Sequence, residues 1–321
     1  MTQHGYIFIV GSSRTGTSLL RNILNSSEDV AICDETHFFG DPKTIASLLR
    51  NVWHGSKKIA RWGESHFLER LTNQGIRQEL TMLGDISTDA GAEKIVDYLY
   101  HTCWHWAPHN FERKEFLHQV LVSDRTDRSL FDLVMACYAN GKPIRGEKTP
   151  AHIHYVPTLL EWFPNAKIIH TFRDPRAIFT LQREKPFTRK GLNRRQRIFR
   201  RSALPLEIYA SLDIAITWLR TVQLHHQYQE RYPNNYYLFK YEDLLDAPQI
   251  HLKKLCDFLE IRLTEEMLQR TFQDSAFGPC SQTRESDTWA ANCRREHLHP
   301  ATNKLFVRLC KKHLLEFGYP L

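Results

Sequence analysis

The chain has 321 residues, of which 42% are hydrophobic, and a net charge of +7 at pH 7. This length suits one large domain or two small ones, and the apolar fraction supports a substantial core, which excludes a disordered chain. The basic balance points to an anionic ligand, a nucleic acid or an acidic surface without choosing among them.

The first predicted element is a short apolar strand, Tyr6 to Val10, followed by "GSSRTGTSLL". Apolar residues at Leu19, Leu20, Ile23 and Leu24 then mark a helix from about Gly16 to Leu24, so the segment reads as strand, tight loop, helix. Gly11 and Gly16 have the spacing of a phosphate-binding loop and Ser18 stands at its hydroxyl position, but Thr17 occupies the place of the usual lysine. A helix amino terminus with exposed N–H groups still favours an anion, and Arg14 adds a full charge to the loop. Without the lysine, a metal-bound triphosphate fits less well than a smaller terminal anion.

A second strand, Val30 to Cys33, runs into the loop "DETHFFGDP". From about 42 to 135 the pattern is largely helical, with helices expected near Thr44 to Trp53, Ser65 to Asn73 and Ala90 to Trp104, and reads as an insert that shapes a pocket. Its Trp53, Trp62, Trp104 and Trp106 would suit a sugar or phenolic face, although aromatics more often build core. Order returns with "GKPIRGEKTP", a helix to Trp162, a buried-strand pattern from Lys167 to Phe172 leading into "RDPRAI", and a strand from Tyr236 to Phe239 before "KYEDLLDAP".

Short apolar strands alternating with helices, joined by connections too long for hairpins, define an α/β chain with a parallel sheet covered on both faces. Ligands of such sheets sit at the carboxyl ends of the strands. Gly11 to Ser18, Asp34 to Thr36, Glu147 to Thr149 and Arg173 to Arg176 all follow predicted strands and should converge on one edge. Neither an internal repeat nor a linker divides the sequence, so 1–321 is read as a single domain.

Taken in order, "GSSRTGTSLL", "DETHFF", "GEKTP", "IIHTFRDPRAI" and "YEDLL" resemble the sulfotransferases that use 3′-phosphoadenosine 5′-phosphosulfate (PAPS). The R-x-G-T-[ST] loop followed by an E-T pair is most similar to the tyrosylprotein sulfotransferase branch and its bacterial relatives. The resemblance implies a P-loop NTPase-like three-layer fold with a central parallel sheet flanked by helices. It implies that Arg14, Thr15, Gly16, Thr17 and Ser18 hold the 5′-phosphosulfate, that Arg173 binds the 3′-phosphate, and that Lys185 and Tyr241 add a basic and an adenine-side contact. The family's arginine is followed eight residues later by a serine. Position 181 is leucine here, leaving Thr180 as the nearest hydroxyl. Glu35 is implied as the base that takes the acceptor proton, with Asp34 as fallback, while Lys148 and Arg14 stabilise the transferring group. PAPS is then the co-substrate, no metal is expected, and the acceptor is a hydroxyl-bearing metabolite, carbohydrate or phenol.

The alternatives are a small-molecule kinase with a degenerate loop, a peptidyl-tyrosine sulfotransferase, and a non-catalytic nucleotide or nucleic-acid module. The run "RKGLNRRQRIFRR", Arg189 to Arg201, has seven basic residues in thirteen and is read as a solvated helix or lid rather than a nucleic-acid site. Cys280, Cys293, His297 and His299 lack paired zinc-knuckle spacing. Ser286 and Arg284 are weak candidates for a late nucleotide-covering loop, and His225 and His226 read as surface or packing residues of a long helix. The seven cysteines include no C-x-x-C pair, and no run of 18 apolar residues occurs, so the expectation is a soluble, cytoplasmic protein.

Overall fold

The computed structural model describes residues 5–39, 85–102, 112–184, 203–273 and 298–321. Five strands, β1 (Gly5–Gly11), β2 (Val30–Cys33), β3 (Ile144–Lys148), β4 (Lys167–Phe172) and β5 (Tyr236–Lys240), form one sheet in the order β2-β3-β1-β4-β5. Every pairing is parallel. The three-layer α/β architecture follows from β1, whose alternating side chains leave the two faces of the sheet. Phe8 and Val10 enter one core cluster and Ile7 and Ile9 another, and all four are nearly inaccessible to solvent. A central strand buried on both faces is therefore a continuous apolar run. Burial of each large aliphatic or aromatic side chain contributes roughly 1.5–3 kcal/mol relative to exposure.

Helix α1 (Thr17–Leu24) covers the Ile7/Ile9 face. On the opposite face lie α2 (Asp89–Thr102), α3 (Arg113–Val122) and α4 (Asp127–Ala139), joined by α5 (Val156–Trp162). Thr126 caps α4 by accepting a hydrogen bond from the Ser129 N–H. A 3-10 turn over Pro150–Tyr155 separates β3 from α5. Beyond β4 come α6 (Pro175–Glu184) and the long α7 (Ala203–Arg231), and β5 leads through α8 (Tyr241–Asp246) and α9 (Pro248–Leu259) to α10 (Glu265–Gln273). The final helix, α11 (Pro300–Glu316), packs with α6 and α7 around Trp218, Phe306 and Leu314.

The strand order positions the site. The connection leaving β1 travels toward the β2 edge, whereas that leaving its neighbour β4 travels toward β5, so the two loops separate and open a crevice at their carboxyl ends. Among the described residues no helix is long and apolar enough to cross a membrane. The helices expected at 44–53 and 65–73, the four insert tryptophans, Lys185, the basic run 189–201, and Arg284, Ser286, Cys280, Cys293 and His297 lie outside the described residues. Cys33, Cys137, Cys256 and Cys310 are free thiols.

Candidate active site

The loop after β1 is bent by its backbone. Gly16 has φ 89° and Gly11 φ 145°, and Arg14 takes the left-handed conformation at φ 70°. A Cβ on Gly16 would lie 2.5 Å from the Tyr241 ring, so at this position space and backbone conformation both demand glycine. The buried Thr15 hydroxyl donates to the Ser12 carbonyl at 2.7 Å and lies 2.7 Å from the Thr171 hydroxyl. Its side chain thus fastens the loop to β4. Gly16 is the N-cap of α1 with no side-chain cap bond, and the first turn carries no acidic residue. A helix start left uncapped and free of carboxylates suits an anion. Arg14 and Ser18 are exposed beside it, while Thr17 is buried.

The loop after β4 meets this cradle. Arg173 is 7% exposed, its guanidinium lies 4.0 Å from the centre of the Tyr241 ring, and it donates to the Arg14 carbonyl at 3.4 Å. Asp174 is fully buried and binds Arg176 at 2.7 Å, and its own N–H donates to Glu242 at 2.9 Å. Arg176 also donates to the Pro320 carbonyl, and the Tyr319 hydroxyl donates to Glu242 at 3.0 Å, so the chain's last residues brace the Arg173 loop. Burial raises the Glu242 carboxyl, consistent with a structural carboxylate inside the helix start. Thr180 donates its hydroxyl to the Arg176 carbonyl one turn earlier at 3.0 Å. Service to a phosphate would require that bond to be exchanged.

At the end of β3, successive side chains face opposite sides. Lys148, 1% exposed, reaches Asp34 at 2.6 Å and Glu35 at 2.7 Å. Asp34 is also paired with Arg21 at 2.9 Å, and Glu35 with His37 at 3.2 Å. Burial would raise the Glu35 carboxyl, but hydrogen bonds from His37 and Lys148 outweigh it and hold the group at about 2, below its ordinary 4.5. Glu35 is therefore a carboxylate throughout the neutral range. Because its folded value is depressed, the associated stability is complete above about 4.5 and is lost as pH falls toward 2.

Glu147 points away from Lys148 and is fully buried. It accepts from the Thr36 N–H and hydroxyl, both at 3.0 Å, from the Thr149 hydroxyl, and from His152 Nδ1 at 3.0 Å. Burial acts to raise this carboxyl, yet the His152 charge and the converging donors hold it below the ordinary range. Glu147 thereby fixes the loop that carries Glu35. Glu147→Ala leaves the buried donors of Thr36, Thr149 and His152 without their acceptor and is expected to cost at least about 1–3 kcal/mol of folding free energy, the usual loss for one unsatisfied buried group. Urea unfolding monitored by fluorescence measures it, and a midpoint equal to that of the unmodified chain overturns the assignment. The positioning roles of Glu147 and His37 escaped sequence reasoning, although strand alternation alone separates Glu147 from Lys148.

A glycine loop before an uncapped helix, a buried lysine among carboxylates and an arginine at the neighbouring strand end converge on one edge of a P-loop-like parallel sheet. Such an edge offers an anion a helix amino terminus with cations close by, and sets two carboxylates beside them. The sulfotransferase family model matches residues 6–265, and the chain belongs to that family. It is 29% identical over 150 residues, 46% of its length, to omega-hydroxy-beta-dihydromenaquinone-9 sulfotransferase Stf3 of Mycobacterium bovis and of Mycobacterium tuberculosis. The match spans 36% of the length of those curated relatives. The fold is shared with the sulfotransferase domain of the Synechococcus PCC 7002 olefin synthase, at 19% identity, TM-score 0.51 and coverage of 100% of this chain and 96% of that one. The sulfotransferase domain of the curacin biosynthetic pathway aligns at 17% identity and TM-score 0.50, covering all of both chains.

Proposed function

We propose that the protein moves a sulfuryl group from PAPS to a hydroxyl acceptor and releases adenosine 3′,5′-bisphosphate (PAP). The observation that carries this reading is the Lys148 ammonium held between Asp34 and Glu35 at the strand edge shared with the anion loop. Such an edge brings together a base for the acceptor and a cation for the donor. The residues present fit the nucleotide. The α1 amino terminus with Thr15, Gly16, Thr17 and Ser18 would receive the 5′-phosphosulfate, and Arg173 the 3′-phosphate. Tyr241, beneath Arg173 and against Gly16, would stiffen the boundary between the two anion sites. Thr180 and Lys185 are proposed as further contacts.

PAPS supplies an activated sulfuryl group. The acceptor oxygen attacks sulfur, a new O–S bond forms, and the bond from sulfur to the bridging phosphate oxygen breaks. The acceptor proton passes to Glu35, while the bond electrons leave with the phosphate, whose growing charge Lys148 and Arg14 offset. Glu35 at about 2 is a weak base while Lys148 holds it. Transfer of the lysine's attention to the sulfuryl group would leave the half-buried carboxylate with less compensation and make it more basic.

A hydroxyl-bearing metabolite, carbohydrate or phenol is the proposed acceptor class. The relative whose name specifies an omega-hydroxylated menaquinone adds a hydroxylated isoprenoid quinone to the compounds worth testing. Incubation of the protein with PAPS and a hydroxyl panel, including a tyrosine peptide, should give a sulfate mass increase on a non-peptide member. PAP binding without transfer to any member would instead support a nucleotide-binding module. On the acceptor so found, Glu35→Gln is expected to lower kcat by about 10²–10⁴-fold, the usual contribution of general-base catalysis. PAP affinity measured by calorimetry should change little, and full turnover in that variant removes Glu35 from the base role.

A further inference from the structure

Where α11 packs against α7, three potential metal donors meet. His226 projects from α7, and His313 and Glu316 from the last turn of α11. The i, i+3 spacing places His313 and Glu316 on one helical face. Glu316 Oε1 lies 3.0 Å from His226 Nε2, and Glu316 Oε2 lies 2.7 Å from His313 Nδ1. One ligand atom from each residue falls within 4.8 Å of the others. The Phe317 ring stacks on His226 with centroids 6.4 Å apart, which restrains that imidazole.

We propose that His226, His313 and Glu316 form a divalent-cation site of the zinc class that staples α11 to α7. Two imidazoles and a carboxylate are borderline donors, suited to Zn²⁺ rather than to Mg²⁺ or Ca²⁺, which prefer all-oxygen sets. Bonds of about 2.0–2.1 Å in a tetrahedral site put ligand atoms roughly 3.3 Å apart, so the 3.0 and 2.7 Å separations across the Glu316 carboxylate would open slightly around a cation. All three side chains retain solvent exposure, so a water can complete the shell and the side chains can adjust without disturbing the core. Binding requires each imidazole to present a lone pair at the nitrogen now facing Glu316, by loss of a proton or by a change of tautomer. The staple lies immediately before Phe317 to Pro320, the segment that braces Glu242 and Arg176. A cation there would fasten the tail that supports the Arg173 loop. The site shares no residue with the proposed sulfuryl chemistry and stands or falls separately from it.

The full chain, stripped with a chelator and titrated with Zn²⁺ against a chromogenic competitor, should take up zinc in a site lost in the His226→Ala/His313→Ala variant. Loss of a direct ligand should weaken binding by at least the roughly tenfold seen when outer-shell partners of metal sites are removed. The Cys280→Ser/Cys293→Ser variant should retain the site. Co²⁺ bound to the unmodified chain should show d–d absorption without a sulfur-to-cobalt charge-transfer band, a readout that needs no variant. Zn²⁺ should also raise the melting temperature of the unmodified chain and not that of the double histidine variant. Zinc uptake unchanged in the double histidine variant, a cobalt–sulfur band, or no uptake by the unmodified chain overturns the proposal and leaves Glu316 as an ion-pair acceptor between two histidines.

Discussion

Lys148→Ala is expected to reduce kcat by about 10²–10³-fold, the range typical for removal of a preorganised group that stabilises transition-state charge. PAP lacks the transferring sulfuryl group, so its affinity should fall far less than the rate. The variant should also fold. The carboxylates it leaves behind, Asp34 and Glu35, are 42% and 37% exposed at their side chains and remain partly hydrated. This distinguishes Lys148 from Glu147, whose partners are sealed in the core. A second signature follows from Lys148 being among the groups that lower both carboxyls against the opposing effect of burial. Without it their pKa values rise, so the acidic limb of kcat/KM should move to higher pH. Rates at saturating PAPS across a pH series, with calorimetric PAP binding, test both statements. Unchanged kcat with unchanged pH dependence removes Lys148 from the transfer step.

Arg173→Ala should have its largest effect on nucleotide binding. A charge-assisted hydrogen bond contributes about 1.5–3 kcal/mol, which corresponds to roughly 10–100-fold in the PAP dissociation constant. Arg173→Lys should restore little. The guanidinium is placed 4.0 Å over the Tyr241 ring, where its planar fork stacks and still presents donors, and an ammonium cannot reproduce that geometry. The dissociation constant of adenosine 5′-phosphosulfate, which lacks the 3′-phosphate, should respond much less than that of PAP. Equal losses for both nucleotides would mean that Arg173 supports the loop through the Arg14 carbonyl rather than reading the 3′-phosphate.

Much of the α/β fold was legible because buried parallel strands are short continuous apolar runs. Val30–Cys33 and Lys167–Phe172 are strands over those very residues, and the glycine loop precedes a helix as its spacing predicts. The least legible strand, Ile144–Lys148, reads as a polar motif because its end carries Glu147 and Lys148, each buried by partners from the 34–37 loop or the following turn. The bracing of Glu242 by Tyr319 joins residues 77 apart, and that of Arg176 by Pro320 residues 144 apart, distances over which no local pattern operates. The zinc question likewise moved. In the sequence the ligand-type residues Cys280, Cys293, His297 and His299 drew attention although their spacing argued against zinc, whereas the cluster that assembles from described residues brings His226 to His313 and Glu316 across two helices.

By itself the sequence determined the apolar strands, all but Ile144–Lys148, and where the chain bends after the first of them. It also placed an arginine, a lysine and a glutamate at strand ends, since periodicity and glycine conformation act within a few residues. Only the tertiary structure decided that β3 lies between β1 and β2, that Lys148 turns to Glu35 while Glu147 turns to His152, and that Arg173 lies on Tyr241 while Asp174 is claimed by Arg176. Those choices depend on which buried charges and hydrogen-bonding groups find partners from distant parts of the chain, and burial makes each unpaired alternative costly.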